Sequence, residues 1–321
     1  MPDDPAIEFR SYLFFLRHFC QLIWEGRAAL GAYDGLALAI SAHQAPLVAH
    51  LQQRVLGGDE LREVRKYLFT AWNSEAVARL SALLDADIRQ FTNQWKPVQS
   101  YYSIYFHLVT LHFVVNGKVL KRHEPTLRWA TQSILGWFPV PWSLRLDYTG
   151  GTLHNFPAGT AMWADGGWNL RNNEPYFHVA NFFRRTAQRN QREDWREHYR
   201  RNKKRRLTAG PRKGRMYRVA DVPVDPVSIF DVLWRFRRWA NYLEADTIIE
   251  GGEFQPYAIE FDDCFNNIME ATAITFESIL CRYLGPGALH ALYQEFMALA
   301  HGHLDTAAVE RRRDVICGVI P

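Results

Sequence analysis

The hydrophobic positions of this chain recur at helical spacing over most of its length. Apolar residues fall on one face of the segments 7–30, 59–69 and 74–91, and the segment 98–115 is apolar on nearly all sides. A period of three to four residues is typical of amphipathic helices, and a helix that is apolar all round belongs in a core. The sequence therefore predicts a mainly α protein whose central helix covers residues 98–115.

Helical spacing continues through the second half of the chain. Four further segments are predicted to be helices: 126–135, 176–201, 257–283 and 288–301. Two residues are placed to begin helices. Ser74 is a typical N-cap for the helix over 74–91, and Asp225 precedes a proline, which favours a helix that starts there and runs through Ile249.

The region 136–174 has a different composition, because prolines, glycines and four tryptophans replace the helical pattern. Two short strands, over 144–146 and 152–156, are predicted to form a hairpin. We expect an irregular excursion here, either a hydrophobic cover for the core or a ligand platform. The chain then divides into a helical half (1–135), the excursion (136–178), a basic helix and flexible basic loop (179–224, with the loop from Leu207 to Val224) and a C-terminal helical half (225–321).

Charge is concentrated in one segment. The whole chain has 38 Lys and Arg against 34 Asp and Glu, a formal charge of +4, but residues 182–218 hold 15 of the cations and three acids. That segment therefore carries +12 and the rest of the chain −8. A dense run of cations favours either a binding site for a polyanion such as nucleic acid or a solvated surface helix.

Arginine dominates this basic segment, and its planar guanidinium suits phosphate and base stacking. The candidate nucleic-acid-binding residues are Arg184, Arg185, Arg189, Arg196, Arg200, Arg201, Lys203, Lys204, Arg205, Arg206, Arg212, Lys213 and Arg215. Trp195, Tyr199 and Tyr217 lie among them. Aromatic rings between cations favour ligands with unpaired bases.

Several motifs that carry chemistry are absent from the sequence. It contains no glycine-rich phosphate loop, no zinc-binding histidine pair of the HExxH type and no GxSxG elbow, and its four cysteines include no CxxC pair. We therefore expect no metal and no cofactor, and a cytoplasmic location. The best candidate for a membrane span, residues 12–24, is interrupted by Arg17 and His18, so no membrane partner is expected.

Three neighbouring motifs carry a family resemblance. They are Gln99-Ser100-Tyr101-Tyr102-Ser103-Ile104-Tyr105-Phe106-His107-Leu108, Asn116-Gly117-Lys118 and Lys121-Arg122-His123-Glu124-Pro125-Thr126-Leu127. An aromatic helix with a Phe-His pair, a loop with glycine and a histidine that opens the next helix resemble the HEPN superfamily. The resemblance covers residues 99–129. It implies a helical bundle, often dimeric, that binds RNA and in many members cleaves it without metal.

The resemblance also implies which residues would be catalytic. In the family an arginine, usually followed by a polar residue, precedes a histidine; the arginine stabilises charge on the phosphate and the histidine moves protons. Two places match this pattern: Arg171 and Asn172 with His178, and Arg192 with His198.

Other polar residues have both a functional and a structural interpretation. Lys118, His123, Arg235, Arg238 and Asn241 are further site candidates. His123 belongs either to a site or to an exposed basic corner, and the arginines either bind a ligand or pair with nearby acids. His107 and His112 lie on an apolar helix, which favours a place in the core or at a dimer face.

We predict a HEPN-like helical bundle that binds nucleic acid, RNA in preference to DNA. Metal-independent RNA cleavage is the activity that the resemblance implies, in a prokaryotic antiviral defence or toxin–antitoxin system. The alternative is a non-catalytic adaptor whose basic segment 182–218 docks on nucleic acid or on an acidic partner protein. A partner protein from the same operon and a homodimer are also expected from the resemblance.

Overall fold

The computed structural model describes residues 5–24, 32–48, 55–83, 89, 92–149, 152–157, 174–209, 225–243 and 255–319. In these ranges the α-helices are α1 (Pro5–Trp24), α2 (Ala32–Val48), α3 (Gly58–Arg79), α4 (Lys96–Asn116), α5 (His123–Trp129), α6 (Glu174–Ala209), α7 (Ile229–Arg238), α8 (Gln255–Leu284), α9 (Pro286–Ala300) and α10 (Ala307–Val319). The strands are β1 (Leu144–Thr149), β2 (Thr152–Pro157) and β3 (Val227–Ser228). The prediction of a mainly α protein is confirmed.

Helix α4 is the central helix that the apolar segment 98–115 predicts. Most of its side chains are buried, including Leu108 and Leu111, and it packs against both α3 and α8. It ends at Gly117, whose φ of 69° is left-handed and whose N–H donates to the carbonyl of Phe113 at 2.7 Å. Glycine takes this conformation without the steric cost that a Cβ would add.

The predicted helix start at Ser74 is wrong, because α3 runs without interruption from Gly58 to Arg79 and continues as a 3-10 turn over Leu80–Leu83. Trp72 and its neighbour Ala71 are fully buried, and the Trp72 ring stacks on Tyr293 of α9 with centroids 4.9 Å apart. This packing holds the segment between the two predicted helices in helical form. Serine is common at N-caps, but it is also tolerated inside a helix, as at Ser74.

The predicted hairpin is confirmed. Strands β1 and β2 pair antiparallel, from Leu144 opposite Pro157 to Thr149 opposite Thr152. Strand β3 pairs antiparallel with the other edge of β1, with Leu146 opposite Val227. The sheet therefore has the order β2-β1-β3 and ties the excursion to the C-terminal half of the chain.

The predicted helix start at Asp225 is also wrong, because Val227 and Ser228 are extended in β3 and α7 begins after them. Ser228 is the N-cap, and its backbone N–H donates to the Asp231 carboxylate at 2.8 Å. This is a capping box with aspartate in the third position. After α7 the chain forms a π-helical turn over Trp239–Leu243, and the rest of the predicted helix through Ile249 lies outside the described residues.

Two other boundaries differ from the sequence prediction. Helix α6 is longer than the predicted 176–201 and includes residues 207–209, which the composition assigned to a basic loop; residues 210–224 lie outside the described part of the chain. Helix α5 begins at His123, ahead of Pro125, and continues as a π-helical turn over Ala130–Ile134. Proline is tolerated there because the first-turn N–H groups have no intrahelical partner.

One hydrophobic cluster joins the helices before and after the hairpin, from Phe9 in α1 to Ile316 in α10. Within it lies a buried ion network. Arg312 of α10 is 0% exposed, and it donates from Nε to Glu277 of α8 at 2.9 Å and from a terminal nitrogen to Glu75 of α3 at 2.7 Å. The network fixes α10 to the centre of the fold. In the described part of the chain, no helix is both long and apolar enough to cross a membrane.

Candidate functional site

Helix α6 has a packed half and an uncovered half. In the first half, side chains at helical spacing are buried against α1 and α7: Tyr176, Val179, Ala180, Phe182, Phe183, Thr186 and Ala187. From Gln188 to Arg200, no described side chain is buried. The part of α6 after Ala187 therefore receives little packing from the rest of the described chain. At about 1.5 Å per residue it is roughly 33 Å long.

The exposed arginines of α6 share one face. Arg185, Arg192 and Arg196 are exposed and lie seven and four residues apart, a spacing that places them on one line along a helix. Arg184 and Arg200 are exposed as well, and Arg185 donates a 2.8 Å hydrogen bond to Ser11 of α1. Cations so placed are accessible to a polyanion.

Two aromatic rings lie beside this arginine face. Trp195 and Tyr199, one helical turn apart, stack with ring centroids 5.5 Å apart and an angle of 21° between their planes. Tyr199 is 51% exposed. An exposed ring on a supporting ring offers a flat surface to a nucleobase.

A neighbouring face of α6 carries three acids and lines a cleft of about 260 Å³. Its walls come from α5 and the π-helical turn that follows it, from α6 and from α7. The charged residues that line it are Glu124, Arg128, Arg189, Glu193, Asp194, Glu197, Asp225, Asp231, Arg235 and Arg238. Trp234 and Trp239 line it too.

Ion pairs hold most of the cleft's arginines. Glu193 accepts from Arg238 at 2.8 Å and from Arg189 at 3.3 Å. Burial alone would raise the pKa of Glu193, but these two arginines, Arg238 first, hold it below its ordinary value. For Asp194, burial and then repulsion from the Asp225 and other nearby carboxylates raise the pKa. The cleft is therefore a poor site for phosphate. Glu193, Asp194 and Glu197 line it together with Arg189, whereas Arg192, Arg196 and Arg200 do not.

Arg235 and Arg238, two of the predicted candidates, have their partners inside the protein. The Arg235 guanidinium lies 4.0 Å from the centroid of the Trp239 ring and donates to Thr186 at 2.8 Å. Arg238 pairs with Glu193. These contacts favour the structural interpretation of both arginines. Asn241 is half-buried in the π-helical turn after α7.

The two predicted Arg–His pairs fall partly outside the description. Arg171 and Asn172 lie outside the described residues, whereas His178 is half-buried in α6, its ring centroid 4.4 Å from those of Phe14 and His18 in α1. Arg192 is exposed, and the side chain of His198 is not described. Both pairs stay predictions.

Most of the remaining basic candidates also lack a described side chain. Residues 201–206 belong to α6, but the side chains of Arg201, Lys203, Lys204, Arg205 and Arg206 are not described. Arg212, Lys213 and Arg215 lie outside the described residues. Lys118 is exposed just after the α4 cap, and its carbonyl is hydrogen-bonded to Nδ1 of His112 at 2.7 Å.

His123 has the most perturbed environment of the predicted histidines that the structure describes. It opens α5, its Nδ1 is hydrogen-bonded to the Tyr101 hydroxyl at 2.8 Å, and its ring stacks on Trp234 with centroids 4.5 Å apart. Burial, and then the nearby Arg237 cation, lower the pKa of His123 to about 4. The ring is therefore neutral at neutral pH, which suits stacking and hydrogen bonding better than acid catalysis.

His107 is a core residue, as its apolar helix predicts. It is 0% exposed, and its Nε2 lies 2.8 Å from the Glu277 carboxylate. In the described residues no group of three or more His, Cys, Asp or Glu is placed to hold a metal ion. The described residues offer cations, aromatic faces and a neutral histidine.

The sequence places Arg237 with Arg235 and Arg238 on a polar face that either binds a ligand or pairs with nearby acids, but it does not single out Trp234. Both residues contact His123 or its neighbours. The available signal was their spacing: three residues apart in one short helix, they share a face. Comparison of the chain with protein-family models, curated proteins and solved structures finds no match. A proposal of function therefore depends on the side chains described above.

Proposed function

We propose that this protein binds nucleic acid, RNA in preference to DNA, through the arginine face of α6 and the basic residues that follow it in sequence. The observation that supports this most is the division of charge on α6. Its three central acids, Glu193, Asp194 and Glu197, line the cleft, while Arg192, Arg196 and Arg200 are exposed beside the Trp195–Tyr199 stack.

Charge balance supports a polyanion as the ligand. The segment 182–218 carries +12, and like charges one helical turn apart destabilise a helix modestly. Phosphates that bind to it relieve this repulsion and release counterions, so affinity depends steeply on salt. The exposed aromatic pair favours a strand with unpaired bases, which is the form in which RNA is commonly recognised.

The experiment is a salt titration of binding. A fluorescent 20-nucleotide uridine RNA is titrated with wild type and with the R192Q/R196Q variant, by anisotropy, between 50 and 200 mM KCl. The loss of two phosphate contacts should weaken binding and lower the slope of log K against log salt by about 1.4, since each contact to a single strand contributes about 0.7.

The matched control is R62Q/R65Q. Arg62 and Arg65 have side chains 76% and 43% exposed on α3, and each pairs with an acid. This control should bind as wild type does. Equal losses in the two variants would show that total charge, not the α6 face, sets affinity, and no binding of wild type at 50 mM KCl would refute the proposal.

The HEPN likeness extends the proposal to metal-independent RNA cleavage, with Arg171 and His178, or Arg192 and His198, as the reacting pair. Incubation of RNA with wild type, H178A and H198A in the presence of EDTA tests it. Cleavage that one variant abolishes supports a nuclease. Binding without cleavage supports the adaptor instead, and a role in prokaryotic defence or a toxin–antitoxin system rests on the likeness alone.

A further inference from the structure

Half-exposed aromatic rings form a row across the surface where α3, α4, α5 and α7 meet. The row begins at Tyr67 of α3, whose ring stacks on Phe106 of α4 with centroids 6.3 Å apart and planes 16° apart. Phe106 stacks in turn on Tyr102, one helical turn away, at 6.1 Å and 25°. All three rings pack against the core on one side and are partly exposed on the other.

The row continues from α4 to α7 through a cation. The Arg237 guanidinium lies 5.4 Å from the Tyr102 ring and 4.9 Å from the Trp234 ring, and it donates to the Tyr102 hydroxyl at 2.8 Å. Trp234 then stacks on His123, with planes 24° apart. We call this set the aromatic ladder; it consists of Tyr67, Phe106, Tyr102, Arg237, Trp234 and His123.

Positive charge accompanies the ladder. Lys66 lies 4.9 Å from the Tyr67 ring, and it also pairs with the exposed Glu63 at 3.6 Å. Three exposed cations precede His123 in the loop after α4: Lys118, Lys121 and Arg122. The acids nearest to this end of the ladder are Glu124, which is exposed beside His123, and Asp231 of α7. Both line the acidic cleft, and Trp234 lies between that cleft and the ladder.

A row of rings with cations beside it fits a ligand that carries both planar groups and negative charges. Stacking on an aromatic side chain requires an open face of the ligand ring, which a base in a duplex does not offer. Sugars also stack on aromatic rings, but a neutral sugar has no charge–charge attraction to Lys66, Arg237 and the loop cations. The charge complementarity therefore favours nucleic acid.

We propose that the aromatic ladder is a second nucleic-acid surface, on which unpaired bases of single-stranded RNA stack between Tyr67 and His123. This inference rests on the proposed function, because it takes the ligand class from the α6 face and adds the recognition of bases. The ladder would stack on the bases of the RNA, whereas the α6 face would bind its phosphates. A ligand without bases should therefore bind to the α6 face alone.

The test compares a ligand with bases and a polyanion without them. Wild type, Y67A/Y102A and R192Q/R196Q are titrated with 20-nucleotide uridine RNA and with long-chain inorganic polyphosphate, at one salt concentration. Y67A/Y102A should weaken RNA binding by roughly tenfold or more, the loss typical of one or two stacked bases, and leave polyphosphate binding unchanged. R192Q/R196Q should weaken both.

Two variants control for folding and for the loss of any aromatic ring. Y67F/Y102F keeps the rings and removes the hydroxyls, including the one that accepts from Arg237, so it should restore most of the RNA affinity that Y67A/Y102A loses. W95A removes a ring that is 56% exposed at the N-cap of α4, outside the ladder, and should leave binding unchanged. If Y67A/Y102A does not fold, Y67A alone, at the end of the row, should weaken RNA binding by roughly fivefold.

Three results would overturn the inference. Unchanged RNA affinity in Y67A/Y102A, with wild-type binding intact, refutes the ladder and leaves the α6 proposal standing. An equal loss for RNA and polyphosphate shows that the surface recognises charge and not bases, which also refutes it. A wild-type protein that binds neither ligand refutes both proposals.

Discussion

Removal of Arg312 should destabilise the protein strongly. Its side chain is fully buried and is shared by two buried carboxylates, Glu277 at 2.9 Å and Glu75 at 2.7 Å. The substitution Arg312→Met keeps most of the volume and removes the cation. Glu75 retains Arg79 at 3.0 Å, but Glu277 is left without an arginine and keeps hydrogen bonds to Trp72, His107 and Tyr293.

The expected loss follows from the buried charge that remains. Breaking a buried ion pair by removal of one partner costs roughly 3–5 kcal/mol. The lowered pKa of Glu277 gives a similar free energy. Burial raises the pKa of Glu277, but Arg312 and then His107 outweigh burial and lower it from 4.5 to about 2. Such a shift corresponds to about 3 kcal/mol of stability at neutral pH.

The sign of the pH effect separates this explanation from a packing defect. In wild type the depressed pKa of Glu277 stabilises the fold above about pH 4.5, and this stability is lost as the pH falls towards 2. In Arg312→Met, burial would dominate and raise the pKa above 4.5. The difference in free energy of unfolding between wild type and Arg312→Met should then shrink as the pH falls from 6 to 4, because titrating groups that both proteins share, such as Asp231, cancel from it.

Urea unfolding monitored by tryptophan fluorescence at pH 7, 6, 5 and 4 measures both effects. The control is Arg313→Gln, which removes the neighbouring arginine, paired with the exposed Asp314, and should cost less than about 1 kcal/mol. A loss below about 1 kcal/mol for Arg312→Met, with the wild-type slope against pH, would refute the reasoning.

Two further predictions concern other elements. Burial raises the pKa of the Asp231 carboxyl from 3.8 to about 6, so wild-type stability should fall as the pH rises through that interval. Asp231→Asn still accepts a hydrogen bond from the Ser228 N–H and should remove this pH dependence in the same unfolding assay. Gly117→Ala places a Cβ at φ 69° and should cost about 1 kcal/mol in thermal unfolding, whereas Gly58→Ala, with nothing within 4 Å of the added Cβ, should not destabilise the protein.

Elements whose signal is local were predictable. The apolar segment 98–115 became α4 within a few residues at each end, because length and periodicity specify a buried helix. The hairpin over 144–157 followed from two short strands around a turn. Ser74 and Asp225 misled because a cap-forming residue type only permits a helix start. Packing of Trp72 on Tyr293 and pairing of Val227 with Leu146 decided those positions.

The candidate site was predictable only in its charge. The sequence identifies the arginines of the segment 182–218 and the aromatic residues among them. The sequence does not indicate which arginines form ion pairs within the protein. Arg238 pairs with Glu193, 45 positions earlier in the chain, and nothing in the local pattern of either residue indicates the other.

The sequence by itself determined the helical character of the chain, its central helix and the concentration of positive charge in one segment, because each depends on neighbouring residues. Only the tertiary structure decided which charges are paired, which rings form the aromatic ladder and which face of α6 is exposed. Helical periodicity places residues on a face, but the element that covers that face is chosen by packing between distant segments. Tyr102 and Arg237 meet across 135 positions, and Arg312 reaches Glu75 across 237.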